Sequence, residues 1–293
     1  MIDERIFEEF EGFTLRRDFS FSSSATIGCG GGARMAFEPQ TVDELSCLIE
    51  KLNAHKIEYY TLGNLSNVLP PDGVLSRAII QTKRLQDIAF SKTLFLASGT
   101  TSGALLRVCK LLKKSGAEFL SGIPCTLGGA LYMNAGVNGK YVSEIVESVS
   151  VLRDGKKIEL PINECEYAYK SSVFMRTHDV ILGASLRLAD SSAERIEREI
   201  AFYNQRRAHL PKGKSMGCVF KNPPNFSAGA LIEGAGMKGL RCGGAVVSSE
   251  HANFILNEGG ATSSQIKTLI TLIKNAVYAQ YKIRLEEEII YLE

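Results

Sequence analysis

The sequence lacks cysteines at metal-binding spacing, a long apolar run and any large excess of charge, and each absence removes a class of function. Seven cysteines are scattered singly through 293 residues, an odd count without a C-x-x-C pair. Neither a disulfide framework nor a zinc site is expected from them, and no metal is expected elsewhere. A net charge of +2, with no basic run interleaved with aromatics, gives no reason to expect nucleic acid or an anionic membrane as partner. The N-terminus, MIDERIFEEFEGF, is acidic and amphipathic, the opposite of a secretory signal, and no apolar stretch is long enough to span a bilayer. A cytoplasmic protein without membrane insertion is expected. Internal repeats and low-complexity segments are absent as well, and nothing bears on oligomeric state. What remains is an ordinary globular composition, 45% apolar and 23% charged, long enough for two or three compact units.

Two nucleotide-binding motifs are also missing. Gly28, Gly30 and Ala33 nominally fit G-x-G-x-x-A, but SFSSSAT precedes them where a buried strand is needed, and an extended, proline-ended RMAFEPQ follows where a helix is needed. A glycine-rich turn opening a strand fits better. The Gly213-Lys214-Ser215 triplet lacks the upstream glycine of a P-loop.

The stretch Ser121–Gly139, SGIPCTLGGALYMNAGVNG, stands out instead. Glycines at 122, 128, 129, 136 and 139 and the absence of an amphipathic period exclude a simple core helix or strand. Such a run brings backbone N–H groups close to a ligand, and a short helix after the turn would offer its positive end to an anion. A ligand-free glycine-rich turn is the plainer alternative.

Around this stretch the chain reads as mixed helix and strand. Residues 1–20 suggest a short helix and a connector. Thr41 and Glu44 predict a capping box for a helix to about His55, with Val42, Leu45, Leu48, Ile49 and Leu52 on one face. The strand IEYYTL leads into GNLSNVLPPDG, and a second strand follows at Ala78–Gln81. LFLASG, a helix from about Thr101 to Lys114 and a hairpin turned at Asp154-Gly155 come next, then the strand VILGASLRL. Composition shifts at Ser191, where a charged helix leads to a new domain. Thr262 caps a long helix to about Ile283, and LEEEIIYLE closes the chain as a strand, with Glu286 and Glu288 on one side and Leu285, Glu287 and Ile289 on the other.

Seven segments in fixed order, GNLSN, SGIPCTLGGALYMNAG, YAYKSSVF, GCVFKNPP, AGALIEGAGMKGL, GGAVVSSEHANFI and LEEEI, resemble the UDP-N-acetylenolpyruvoylglucosamine reductase family. The resemblance covers roughly Thr26 to Leu292, and the spacing is similar to the shorter branch, which lacks an extra substrate-covering loop. It implies an α+β protein: a two-subdomain FAD-binding fold of the PCMH/VAO type plus a C-terminal α+β substrate-binding domain, here 1–81, 82–192 and 193–293. It further implies FAD as cofactor, NADPH as electron donor and a UDP-sugar as substrate. Reduction would run in two stages, NADPH reducing FAD before the enolpyruvyl group takes a hydride on its vinyl carbon.

By that resemblance Gly63, Asn64, Leu65, Ser66, Asn67, Gly122, Ile123, Pro124, Thr126, Gly128, Gly129, Asn134 and Gly136 are the cofactor contacts, with the two glycine loops on the diphosphate. Adding hydride beside a carboxylate pushes negative charge onto it, so the site needs a cation and a proton donor there. The matching trio is Lys170, where the family usually has arginine, Cys218, where it usually has serine, and Glu288. Lysine keeps the charge but loses the two-pronged hydrogen bond of a guanidinium. A thiol is a stronger acid than a hydroxyl, though larger and oxidisable. Tyr169, Asn222 and His251 are implied as substrate contacts. Two departures concern the flavin: GNLSN replaces the usual GGGSN, placing Leu65 where left-handed backbone is expected, and Cys125 replaces a glycine. The plainer fates are a turn cap for Ser66 and Asn67, a solvated Lys170, a buried small hydrophobe at Cys218 and a structural His251. The function alternatives are a flavin oxidase of the same fold and a non-catalytic homologue that binds sugar nucleotide or a partner protein.

Overall fold

The computed structural model describes residues 4–293. Contacts divide these residues into two compact units: 4–17, 35–64 and 77–208 form the first, and 18–34, 65–76 and 209–293 the second.

The first unit has two layers. Parallel strands flank Ala78–Gln81, with Gly32–Phe37 on one side and Tyr59–Leu62 on the other. The crossover is the helix Val42–Ala54, whose Leu45, Leu48, Ile49 and Leu52 pack with Phe37 and Ile80. Thr41 caps this helix by accepting the Glu44 N–H, but the Glu44 carboxylate takes the N–H of Gln40, so the expected capping box is only half formed. The expected N-terminal connector is in fact the strand Leu15–Ser20, preceded by a 3-10 turn at Glu4–Phe10.

The second layer is an antiparallel sheet in the order 156–161, 146–153, 180–186, 94–97, 88–90. Its hairpin turns at Asp154-Gly155, both at positive φ, as a two-residue turn of matching twist requires. A bulge opposite Ser150–Val151 changes which side chains face which way: Val180 and Leu182 join the core around the first helix, while Ala184 and Leu186 join a second core. That second core is covered by the helix Ser102–Leu111, through Leu105 and Leu106, and by Leu127–Met133, through Leu127 and Leu131. The charged helix Ala193–Arg207 starts at Ser192, whose hydroxyl accepts the Arg195 N–H, and ends one residue before the unit does.

In the second unit an antiparallel sheet runs 214–218, 254–257, 245–247, 241–242. The helix Ser263–Tyr281 packs on it through Ile266, Leu269, Ile270, Ile273 and Val277, starting at a full capping box of Thr262 and Gln265. Asp72 reinforces that start by accepting the N–H groups of Ser263 and Ser264 at 2.6 and 2.9 Å. The closing LEEEIIYLE is mostly not strand. Only Ile290–Tyr291 pairs, in parallel with Val68–Leu69, and Glu287 bridges Phe220. Its alternation nevertheless holds: Leu285 and Ile289 are buried, Glu287 turns to Lys274 at 3.0 Å, and Glu286 is exposed near Lys221. No helix of the described residues is long and apolar enough to cross a membrane.

Candidate active site

In the first unit the two glycine loops meet. Asn64 Nδ2 donates to the Pro124 carbonyl at 2.9 Å, and Gly63 lies so close to Thr126 that a methyl group there would overlap the threonine hydroxyl. Ser102 supports the second loop from behind, its hydroxyl donating to the Ile123 carbonyl at 2.6 Å and its N–H to that of Cys125 at 3.1 Å. Gly122, at φ +72°, faces the side chains of Asn204 and Arg207, and the Ser121 hydroxyl bonds Asn204 at 2.8 Å. Sequence reasoning passed over Ser102 and Arg207. One looks like an ordinary helix-start serine and the other like one more charge on a charged helix.

The loops differ in the donors they offer. In the first turn of Leu127–Met133, the Leu127 and Gly128 N–H groups donate to Thr100 and Ser98 carbonyls, and that of Gly129 donates to the Thr126 hydroxyl. The expectation that this short helix would present a positive end is therefore corrected: its leading donors are spent inside the unit. By contrast, the N–H groups of Leu65, Ser66 and Asn67 donate to no backbone carbonyl among the described residues. With Leu65 at φ +50°, this is the kind of backbone concavity that receives anions. Of the two flavin-loop departures, Leu65 does take the left-handed backbone, with its side chain only 3% exposed. Cys125 is not at positive φ, so a side chain there carries no backbone strain, and burial pushes its thiol up to about 12.

The far end of the glycine-rich stretch holds Lys170. Ala168 and Ser171 exchange both backbone hydrogen bonds, at 3.1 and 3.2 Å, leaving Tyr169 and Lys170 at the tip of a two-residue turn with Lys170 at φ +52°. Asn134, the left-handed cap of Leu127–Met133, donates Nδ2 to the Ala168 carbonyl at 2.9 Å and accepts the Ser143 N–H on Oδ1. Ser172 adds a 2.6 Å bond to the Tyr132 carbonyl. Asn134 is buried and its carboxamide is committed to this turn. Gly136 sits where a side chain would strike Tyr141.

The second unit gathers the other candidates. Cys218 ends the strand Lys214–Cys218 opposite Phe254. One residue on, the Val219 carbonyl accepts the Glu288 N–H at 2.7 Å, so the thiol-bearing and acid-bearing segments run side by side. Asn67 completes the junction: Nδ2 donates to the Glu288 carbonyl at 3.0 Å, and its own carbonyl accepts the Ile290 N–H at 2.9 Å. Asn222 accepts the Ala228 N–H at 2.9 Å, next to the helix Ala228–Gly234. His251 packs against Phe254 with ring centroids 5.1 Å apart, its Nδ1 accepts the Asn253 N–H, and burial holds its pKa below the usual imidazole value. Gly229 leaves it room, since a side chain there would press on the ring.

Two family models match the chain. The FAD binding domain matches residues 33–160, and the UDP-N-acetylenolpyruvoylglucosamine reductase C-terminal domain matches 208–292. The UDP-N-acetylenolpyruvoylglucosamine reductase of Clostridioides difficile is 37% identical over 283 residues, covering 94% of this chain and 92% of its own. That of Thermotoga sp. strain RQ2 is 35% identical, covering 98% of this chain and 97% of its own. The crystal structure of UDP-N-acetylenolpyruvylglucosamine reductase (MurB) from Thermus caldophilus superposes with a TM-score of 0.83 at 32% identity, over 96% of this chain and all of that one. With an α+β architecture, an FAD binding domain and the reductase C-terminal domain in one chain, this protein belongs to the UDP-N-acetylenolpyruvoylglucosamine reductase family.

Proposed function

We propose that this chain is a cytoplasmic FAD-dependent oxidoreductase that uses NADPH to reduce the enolpyruvyl group of UDP-N-acetylglucosamine enolpyruvate, giving UDP-N-acetylmuramate for peptidoglycan synthesis. The observation that carries the reading is the junction of Val219, Glu288 and Asn67, where hydrogen bonds at 2.7 and 3.0 Å set the segment bearing Cys218, the segment bearing the acid and a cofactor loop side by side.

The residues fit the flavin. The uncommitted N–H groups of 65–67 suit a diphosphate, and Gly63 keeps side-chain bulk away from the Thr126 loop. Asn64, Ile123, Pro124 and Thr126 line the same pair of loops, with Gly122, Gly128 and Gly129 beside them. When bound, FAD would carry hydride from NADPH to the vinyl carbon of the enol ether. This chain's residues do the rest. Lys170 offsets charge growing on the substrate carboxylate. Cys218 delivers a proton to the adjacent carbon, and Glu288 orders the groups around that carboxylate. Tyr169, Asn222 and His251 hold the sugar nucleotide, with His251 neutral near pH 7 and so acting as a hydrogen-bonding group. As a division of labour, 1–81 and 82–192 bind flavin and 193–293 binds substrate. Compactness follows different boundaries, because 18–34 and 65–76 fold with the second unit.

The test is a visible spectrum of the purified protein, followed by NADPH consumption with and without the enolpyruvyl sugar nucleotide. Yellow protein with substrate-dependent turnover is expected, with Lys170→Met losing far more rate than Cys218→Ser. Colourless protein, peroxide release without the sugar nucleotide, or equal near-wild-type rates for both variants would overturn the proposal.

A further inference from the structure

Asn253 is 3% exposed and engages more backbone than its place in HANFI announces. The strands 214–218 and 254–257 pair as far as Cys218 and Phe254, and Asn253 continues that pairing beyond the last ladder residue. Its carbonyl accepts the Val219 N–H at 2.8 Å. Its carboxamide then accepts the Phe220 N–H on Oδ1 at 2.9 Å and donates from Nδ2 to the Phe220 carbonyl at 2.8 Å. The side chain thus stands in for a peptide group and satisfies both polar atoms of one buried residue. On the opposite edge of the same segment, Val219 accepts the Glu288 N–H and Lys221 donates to the Glu286 carbonyl at 2.9 Å. The Asn253 N–H itself goes to His251 Nδ1 at 3.3 Å.

We propose that Asn253 is a positioning residue: its carboxamide sets the register of 218–220 against 286–288, and through it the placement of the Cys218 thiol relative to Glu288. The chemical consequence rests on the reductase reading above, and the register rests on the hydrogen bonds alone. Without the carboxamide, the Phe220 N–H and carbonyl are buried with no partner, and the segment twists or slides to find others. A proton donor displaced by an ångström costs on the order of 100-fold in rate. A protonated carboxylic acid reproduces the amide pattern, one acceptor and one donor, whereas a carboxylate only accepts. Asn253→Asp is therefore a version of the same contact that acidification restores.

The experiment separates the half-reactions in flavin-loaded Asn253→Ala and Asn253→Asp, and measures residue-resolved iodoacetamide alkylation of Cys218 with the exposed Cys47 as internal standard. In Asn253→Ala, flavin reduction by NADPH stays within about twofold of wild type, while reoxidation by the enolpyruvyl sugar nucleotide slows about 100-fold. The Cys218-to-Cys47 alkylation ratio shifts by about threefold or more, a thiol's reactivity following its surroundings. Asn253→Asp matches the alanine variant near about pH 8 and recovers toward wild type, in both rate and alkylation ratio, near about pH 5.5, because burial raises a carboxyl pKa. His251 and Glu286–Glu288 also face this segment, so every rate and alkylation ratio is read against wild type at the same pH. Equal losses in both half-reactions, reoxidation within twofold of wild type, or a pH-independent ratio for Asn253→Asp overturns the proposal. If the alanine variant does not fold, the aspartate variant decides the matter by its pH recovery. If wild type itself is not reoxidised by the substrate, the reductase reading fails, and the alkylation ratios still decide the register: a ratio unchanged by both substitutions refutes it.

Discussion

Leu65 occupies a backbone conformation that favours glycine, and the consequence can be worked out residue by residue. At φ +50° an L side chain costs about 1–2 kcal/mol, which glycine does not pay. Glycine's greater freedom in the unfolded chain returns about 0.5–1 kcal/mol of that advantage. The Leu65 side chain, however, is 3% exposed, and truncating a buried leucine to alanine costs about 2–5 kcal/mol. Leu65→Ala keeps the strain and loses the burial. Leu65→Gly loses the burial and sheds the strain. Leu65→Ala should fall below wild type by about 2–5 kcal/mol, with glycine equal to alanine or up to about 1.5 kcal/mol above it, the reverse of their usual order. Urea unfolding of the three proteins, comparing midpoints at equal slope, measures this. A Leu65→Gly protein more stable than wild type would mean that the side chain does not anchor the loop. Alanine clearly above glycine would mean that the left-handed backbone carries no strain.

Two further outcomes follow from the second unit. Burial holds the His251 pKa below about 6.5, so on acidification the unfolded chain takes up the proton first. Stability is then flat above about pH 6.5 and falls as pH drops from there toward the folded-state pKa, a slope that His251→Gln should flatten in pH-dependent urea midpoints. Asp72 accepts two N–H groups and a hydroxyl at the start of Ser263–Tyr281, so Asp72→Asn should cost about 1–2 kcal/mol in thermal or urea unfolding. Asp72→Ala should cost no less.

How far the sequence could be read depended on whether a signal was local. The amphipathic face of Val42–Ala54, the Asp154-Gly155 turn and the Thr262 cap each lie within a few neighbouring residues, and each formed. The ordered motifs identified the family. Glu44 departed from expectation because an N–H one residue earlier competed for its carboxylate. The last residues were read as a longer strand because their alternation is genuine, yet only Ile290 and Tyr291 find a pairing partner there. Leu127–Met133 looked like an anion-binding helix start because its sequence is glycine-rich. Only the fold reveals that Ser98 and Thr100 already occupy its donors. Asn253 was illegible for the same reason, since what it binds lies 33 positions away along the chain.

The second unit is sewn from three separated stretches: Asn257 donates to the carbonyls of Ile27 and Gly28, and Asp72 caps a helix that starts almost 200 residues later. During synthesis the segments 18–34 and 65–76 leave the ribosome long before their partners exist. They must wait, with Phe21, Ile27 and Leu69 uncovered, until residues 209–293 have emerged. Ribosome-bound chains stalled once residue 208 has cleared the exit tunnel would therefore hold a first unit ready to fold beside two orphaned, aggregation-prone strips, and would lean on chaperones more than their length alone suggests.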